Sequence, residues 1–574
     1  MNQNLITVLV RFLMRFGVFI LVTTPLTSIH AQNLAKAQDQ SVQDQLEALR
    51  KEIADLKKNQ ASAVREGPAP RIQQQGTGQN IGGTTEKESL LDDTNFDVGS
   101  RLSVVERNQE VAAEEAAKKA ASAPNISFDT KGFTLKSADG QHALRLGGTL
   151  QLDDRQYINQ ANDANNQFLV RRARVYASGT LWKYTDFRFM PDFGTRDSQN
   201  LQNTAIIADA WLNFKAIPEA QVQVGKFKPP LGLEMLQSDQ NTVFMERSTT
   251  TQLQPSRALG VQVHGLLFDD TLSYATGVFT TAPNNWTQTV DTNLGYGVYG
   301  RLFARPFVND ADELAGLGFG VAGSYVNAFD PSATSNGNDN AAVANGLNSY
   351  ATDTGVTFFN WNGSQSTTVT AGLDGAQFLI IPQAFYYYGP WGIQAEYALQ
   401  SQGLALYNTG RNFTPATRAT SFAWQATLSY NITGEDNSFD SLAPANNFDF
   451  FQSDDPDATG LWQVAFRVDQ IQLDNTLFQP LPGTSGSSNT NDYLVNGGST
   501  NGAGRNARGF YSYSLGFNWY LNPNIRAYAN FVYTPWYYAS QRGGAPGGSG
   551  DVPQNDQNIT NDEFGITTRL QLFF

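Results

Sequence analysis

Cysteine is absent from the 574 residues, so no disulfide, thiolate nucleophile or Cys-ligated metal site can be built. Histidine is nearly as scarce. His30, His142 and His264 are the whole set, too few for an imidazole-rich metal centre and little to build a His-based triad from. Enzymatic activity is therefore not expected, nor is any cofactor. There is no basic run, and the formal net charge is −14, so nothing points to nucleic acid. Beyond the first residues no stretch of 18 apolar residues occurs, which removes the membrane-spanning helix as an option.

What is present begins with an export signal. Arg11 and Arg15 flank an apolar stretch ending in Phe16–Val22, followed by polar residues with a cleavage point after Ala31 (Ala35–Ala37 offers a second). Residues 1–31 are read as a signal peptide. Within 38–60, Val42, Leu46, Leu49, Ile53 and Leu56 recur at alternating spacings of four and three, a heptad seam with Leu46 and Ile53 at a and the others at d. Residues 61–125 read as a linker rich in Gly, Gln, Pro and Thr, with a short Ala/Glu-rich helix over 101–121.

From 126 to the end the pattern has period two, the signature of strands whose two sides meet different surroundings. Leu144, Leu146, Leu150 and Leu152 share one face; Arg145, Thr149, Gln151 and Asp153 share the other. Trp462, Val464, Phe466 and Val468 alternate with Gln463, Arg467 and Asp469. The last strand places Phe564, Ile566, Leu570, Leu572 and Phe574 on one side, opposite Thr567, Arg569 and Gln571. Long polar stretches (330–349, 433–447, 482–505) and tight turns such as 521–524 separate the runs, and aromatic clusters at 386–391, 518–520 and 534–538 suit an interfacial girdle. An exported, aromatic-rich chain of alternating strands with no spanning helix predicts an all-β fold: a transmembrane antiparallel β-barrel over 126–574, preceded by the coiled-coil helix and flexible linker. The expected location is the outer membrane of a Gram-negative cell, with outer-membrane lipid around the barrel and the N-terminal segment in the periplasm. The final phenylalanine resembles the signal by which bacterial outer-membrane proteins are recognised for insertion.

The stretches LRLGGTLQLD (144–153), FLVRRARVYASGTLWKYTDFRF (168–189), ADAWLNF (208–214), VGKFKPPLGLEM (224–235) and FMERS (244–248) resemble the phosphate-selective porin O and P family. The resemblance implies a barrel of 16 strands, a homotrimer, and an inward-folded loop narrowing the pore, for which 228–259 is the candidate. It also implies basic side chains that pass anions towards a constriction. Arg171 and Arg172 fit the family's double Arg, Lys183, Asp209 and Ser238 fit further constriction members, and Arg145 fits a basic position upstream. Strand parity adds Arg174: it shares a face with Arg172, whereas Arg171 turns inward only at a strand end or bulge.

Some of the family's basic positions are missing. Thr149 stands where the family has Arg, Met235 where it has Lys, and 330–370 holds no arginine. Residues 141–260 carry 13 Lys/Arg against 11 Asp/Glu, while 261–574 carry 10 against 25 and no Lys. The reading is a porin for small hydrophilic solutes or small anions, weakly anion-preferring. A barrel-anchored envelope tether or adhesin, with the coiled coil as its binding part, is the alternative.

Overall fold

The computed structural model describes residues 107–108, 110–111, 114–115, 118, 122–129, 132–158, 165–194, 206–280, 296–310, 313–329, 347, 349–361, 369–408, 413–449, 458–478, 494, 506–537 and 562–574. The expected signal peptide, the coiled coil and the linker as far as residue 106 lie outside the described residues. Described residues between 107 and 122 are largely helical.

A small hairpin, β1 (Asn125–Asp129) and β2 (Gly132–Lys136), precedes the barrel. The wall is then built from β3 (Ala143–Tyr157), β4 (Gln167–Leu181), β5 (Thr185–Asp192), β6 (Ile206–Phe214), β7 (Gln221–Phe227), β8 (Ala258–Leu267), β9 (Leu272–Thr280), β10 (Tyr296–Ala304) and β11 (Leu317–Phe329). After a short hairpin of β12 (Tyr350–Ala351) and β13 (Thr357–Phe359), the wall resumes with β14 (Val369–Tyr388), β15 (Trp391–Asn408) and β16 (Phe413–Asn431). It ends with β17 (Leu461–Gln472), β18 (Gly509–Asn522), β19 (Ile525–Tyr537) and β20 (Asp562–Phe573). Each wall strand pairs antiparallel with its neighbour in the chain, and β20 closes on β3, giving a 16-strand barrel. At the seam Leu570 faces Leu152 and Gln571 faces Gln151. The ladder runs on past β20: Gly148 and Phe574 exchange backbone hydrogen bonds of 2.9 and 3.1 Å, and β2 pairs with the first residues of β3 below them.

The alternation is the reverse of a soluble sheet. On β18, Tyr511, Tyr513, Leu515 and Phe517 are 38–40% exposed, whereas Ser512, Ser514 and Asn518 between them are fully buried. Apolar side chains turned out and polar ones turned in is what a closed ladder in hydrocarbon requires. At the short-turn end Trp391 packs on Tyr430 with ring centroids 4.4 Å apart, and Trp462 stacks on Trp519 at 5.0 Å, forming part of an aromatic band. The cluster at 534–538 departs from the girdle expectation. Trp536 points inward and is fully buried against Phe358, because even positions of β19 face the lumen.

Turns such as 182–184, 389–390 and 523–524 lie at one end, and long connections such as 228–257 and 473–508 at the other. The stretch 433–447 breaks this division. The connection from β16 to β17 is long yet belongs to the short-turn end. It folds back into the barrel, where Asn437 N donates to Gly389 O at 2.7 Å and Phe439 stacks on Phe385. At the opposite end the β12–β13 hairpin packs Tyr350, Phe358, Phe359 and Trp361 against Phe478 and Phe510, an apolar cluster inside the mouth.

Candidate functional site

The connection from β7 to β8, residues 228–257, crosses the barrel interior. Within β7, two residues before the chain leaves the wall, Gly225 takes a φ of +130° that only glycine adopts without strain, and a Cβ there would run into the carbonyl oxygen of Ala210 on β6. Pro229 and Pro230 follow, and neither can donate to a ladder. Gly225→Val should therefore strain the backbone by roughly 1–3 kcal/mol. The expected result is a lower temperature for losing the compact, heat-modifiable form on a gel.

Across the lumen the loop is fastened to the far wall. Thr249 N donates to Asp469 Oδ2 at 3.0 Å, Gln400 Nε2 to Leu253 O at 2.9 Å, Asn518 Nδ2 to Val243 O at 2.9 Å and Gln571 Nε2 to Gln240 O at 3.1 Å. Gln237 Nε2 donates to Phe439 O at 2.7 Å, so the loop also meets the insert from the short-turn end. The barrel is thus narrowed from both ends.

The double arginine sits on a bulge. Gln151 pairs with Arg172 and Leu152 with Val170, leaving Arg171 as the extra residue of β4. A bulge interrupts the alternation, so consecutive side chains turn to the same side. Arg171 and Arg172 both face the loop as a result. Arg171 Nε donates to Glu246 Oε1 at 2.7 Å, and Arg172 Nη1 donates to Gln151 Oε1 at 2.8 Å. Arg174 lies on the same face, paired with Asp192 at 2.7 Å and with Asp239 of the loop. Asp239 also takes Arg247, and Arg172 lies 3.7 Å from it. Burial alone would push the Asp239 carboxyl up; the guanidiniums of Arg247, Arg172 and Arg174 hold it well below the usual carboxylate range.

Glu246 gathers a larger group. Its Oε1 accepts from Arg171 Nε at 2.7 Å, Arg155 Nη2 at 2.9 Å and Arg569 Nη2 at 3.1 Å. Arg569, on the closing strand, also grips Asp153 at 2.6 and 2.8 Å. Beside this network a second one centres on Arg467, with Asp353 of the β12–β13 hairpin at 2.7 Å, Glu234 at 3.5 Å and Asp469 at 3.8 Å.

The other expected site residues are placed as follows. Asp209 is inside the barrel, bonded to Arg257 at 2.8 Å with Arg188 at 3.6 Å. Ser238 is exposed on the loop next to Asp239. Arg145 lies on the inward face of β3 towards the short-turn end, opposite Thr134. Lys183 corrects the expectation. It occupies the turn between β4 and β5 with φ of +66°, exposed, its Nζ 5.5 Å from the Tyr184 ring, on the rim and not at the narrowing. The motif WKY is a hairpin tip, and its lysine cannot reach the lumen centre from there. Thr149 accepts from Gln240 Nε2, and Met235 is buried in the loop.

The model of the family described as phosphate-selective porin O and P matches residues 144–536. The chain belongs to that family. Its curated relative Porin O of Pseudomonas aeruginosa is 24% identical over 479 residues, covering 78% of this chain and 93% of that protein. Among solved structures, the outer membrane channel DcaP of Acinetobacter baumannii aligns with a TM-score of 0.45 at 10% identity, over 76% of this chain and 99% of DcaP. An anion-selective porin from Comamonas acidovorans aligns with 0.41 at 9% identity, over 75% and 100%. In this family member, paired guanidiniums and carboxylates line the barrel wall where the inserted loop meets it.

Proposed function

We propose that this outer-membrane porin passes small hydrophilic solutes through a constriction with a weak preference for anions. The observation that carries the reading is the positive surplus of the arginine cluster gathered on Asp239 and Glu246, tempered by the neighbouring acidic group in which Asp353, Glu234 and Asp469 face one guanidinium, Arg467. Six guanidiniums (Arg155, Arg171, Arg172, Arg174, Arg247 and Arg569) meet four carboxylates (Asp153, Asp192, Asp239 and Glu246), a surplus of two positive charges. Two unit charges about 4 Å apart interact by roughly 4 kcal/mol at an effective dielectric near 20, so a small surplus biases permeation. It does not build a tight phosphate site, because each of these cations already has a carboxylate partner. Binding weak enough to release the solute is what conduction needs. Assembly as a homotrimer and a periplasmic N-terminal segment complete the proposal.

The test is a planar-bilayer recording of the purified protein in a KCl gradient. Steady conductance, a modest chloride preference and no submillimolar block by phosphate are expected. Arg172→Ala should move the reversal potential towards cations, while Lys183→Ala should leave it in place, since the rim turn lies away from the narrowing. Cation selectivity of the unaltered pore would sink the reading, and a barrel without conductance steps would favour an anchor instead.

A further inference from the structure

Glu246 is coordinated like a bound anion and unlike an ordinary salt-bridge partner. One of its oxygens accepts from three guanidiniums, and Arg171 also donates through Nη2 to the second oxygen at 3.1 Å, a bidentate fork matched to a planar carboxylate. Arg172 stands 3.8 Å from that second oxygen. Within this network Glu246 is also the carboxylate most open to the lumen: its side chain is 18% exposed, against 0% for Asp153 and 6% for Asp239. Burial would raise the Glu246 carboxyl, yet the guanidiniums of Arg171, Arg172, Arg569 and Arg155 hold it well below the usual carboxylate range. The backbone on which it rides is held as well, by Arg467, which does not touch the Glu246 carboxylate, and by Arg569, which does. Arg467 Nη1 donates to Glu246 O at 3.0 Å, and Arg569 Nη1 donates to Met245 O.

We propose that Glu246 is a tethered stand-in for a small organic carboxylate: Arg155, Arg171, Arg172 and Arg569 form a carboxylate-binding site, and the loop keeps it filled. The inference rests on the porin reading and deepens it, naming the solute class and the residue that limits its access. A permeating carboxylate gains the site by exchanging with Glu246, which leaves the pore weakly selective while the side chain is in place. Removing that side chain exposes a surplus of guanidiniums with the anchored loop still in position.

Glu246→Ala deletes the equivalent of one acetate. In a planar bilayer this variant should shift its KCl reversal potential towards anions relative to the unaltered protein. Titration with sodium acetate at constant ionic strength should reduce its chloride current saturably, with half-effect at a concentration at least tenfold lower than in the unaltered pore. Glu246→Gln keeps the volume, removes the charge and should show the same shift in reversal potential. Unchanged selectivity in both variants, or higher conductance without any shift, would overturn the proposal, because Glu246 would then be only a strut. Block of the alanine variant by phosphate but not by acetate would overturn the carboxylate assignment. If the unaltered protein conducts and the variants behave like it, this inference alone fails; if the unaltered protein does not conduct, the porin reading fails first.

Discussion

Replacing Arg569 by alanine should destabilise the folded barrel by about 3–5 kcal/mol, the usual cost of leaving a buried charge without its partner. Arg569 is fully buried and bidentate to Asp153, itself fully buried on β3. The pair therefore ties the last strand to the first across the closing seam, and the same guanidinium holds Met245 O and Glu246 of the loop. Without it, Asp153 keeps only Arg155 at 3.2 Å. The expected readout is a large drop in the temperature at which the compact gel form converts to the unfolded one. A paired exchange, Asp153→Leu with Arg569→Met, removes both charges together and should recover most of the loss, since replacing a buried ion pair by apolar residues is often neutral. If the single and the double variant were equally unstable, packing and not the unpaired carboxylate would be responsible.

Asp153 and Arg569 mark how far the sequence could be read. Both lie on the polar side of a clear period-two alternation, so their inward orientation was legible from parity alone. Their pairing was not, because it depends on β20 closing on β3 in a particular register, which no local pattern specifies. The same limit explains Arg171. Alternation placed it outside, and the bulge that turns it inward exists only because two residues of β4 oppose one of β3. Lys183 erred in the other direction. Trp and Lys are not ordinary turn formers, yet Trp182 and Lys183 both take positive φ at the hairpin tip. The loop's position was visible in the loss of alternation after Phe227. Its counter-charges, Asp239 and Glu246, were not, since their partners lie on distant strands. The length of 433–447 was plain, but which end of the barrel it serves follows only from counting strands.

The second large effect concerns the loop itself. Glu234 Oε2 accepts from Ser248 N at 2.8 Å, and Arg247 Nε donates to Glu234 O at 2.9 Å, so the two limbs of the excursion 237–247 meet at its base. A short Gly-Ser link from Leu236 to Ser248 can therefore remove that excursion while Thr249 and Leu253 keep their bonds to the far wall. The deletion takes away Asp239, Glu246 and Arg247. Of the cluster on Asp239 and Glu246 it leaves Arg155, Arg171, Arg172, Arg174 and Arg569 with Asp153 and Asp192, so the positive surplus of that cluster rises from two to three in a wider channel. Two consequences follow, one independent of salt and one not. Conductance should rise several-fold at every concentration, because the obstruction is gone. Anion preference should exceed that of the unaltered pore at 0.1 M KCl, where charges act over about 10 Å, and fade at 1 M, where the range falls to about 3 Å. Simple widening predicts instead a loss of selectivity at both concentrations. Recordings of reversal potential at the two ionic strengths decide between them. A wider pore that is less anion-selective at low salt would show that the wall arginines do not set the preference by themselves, and that the narrowness of the constriction does.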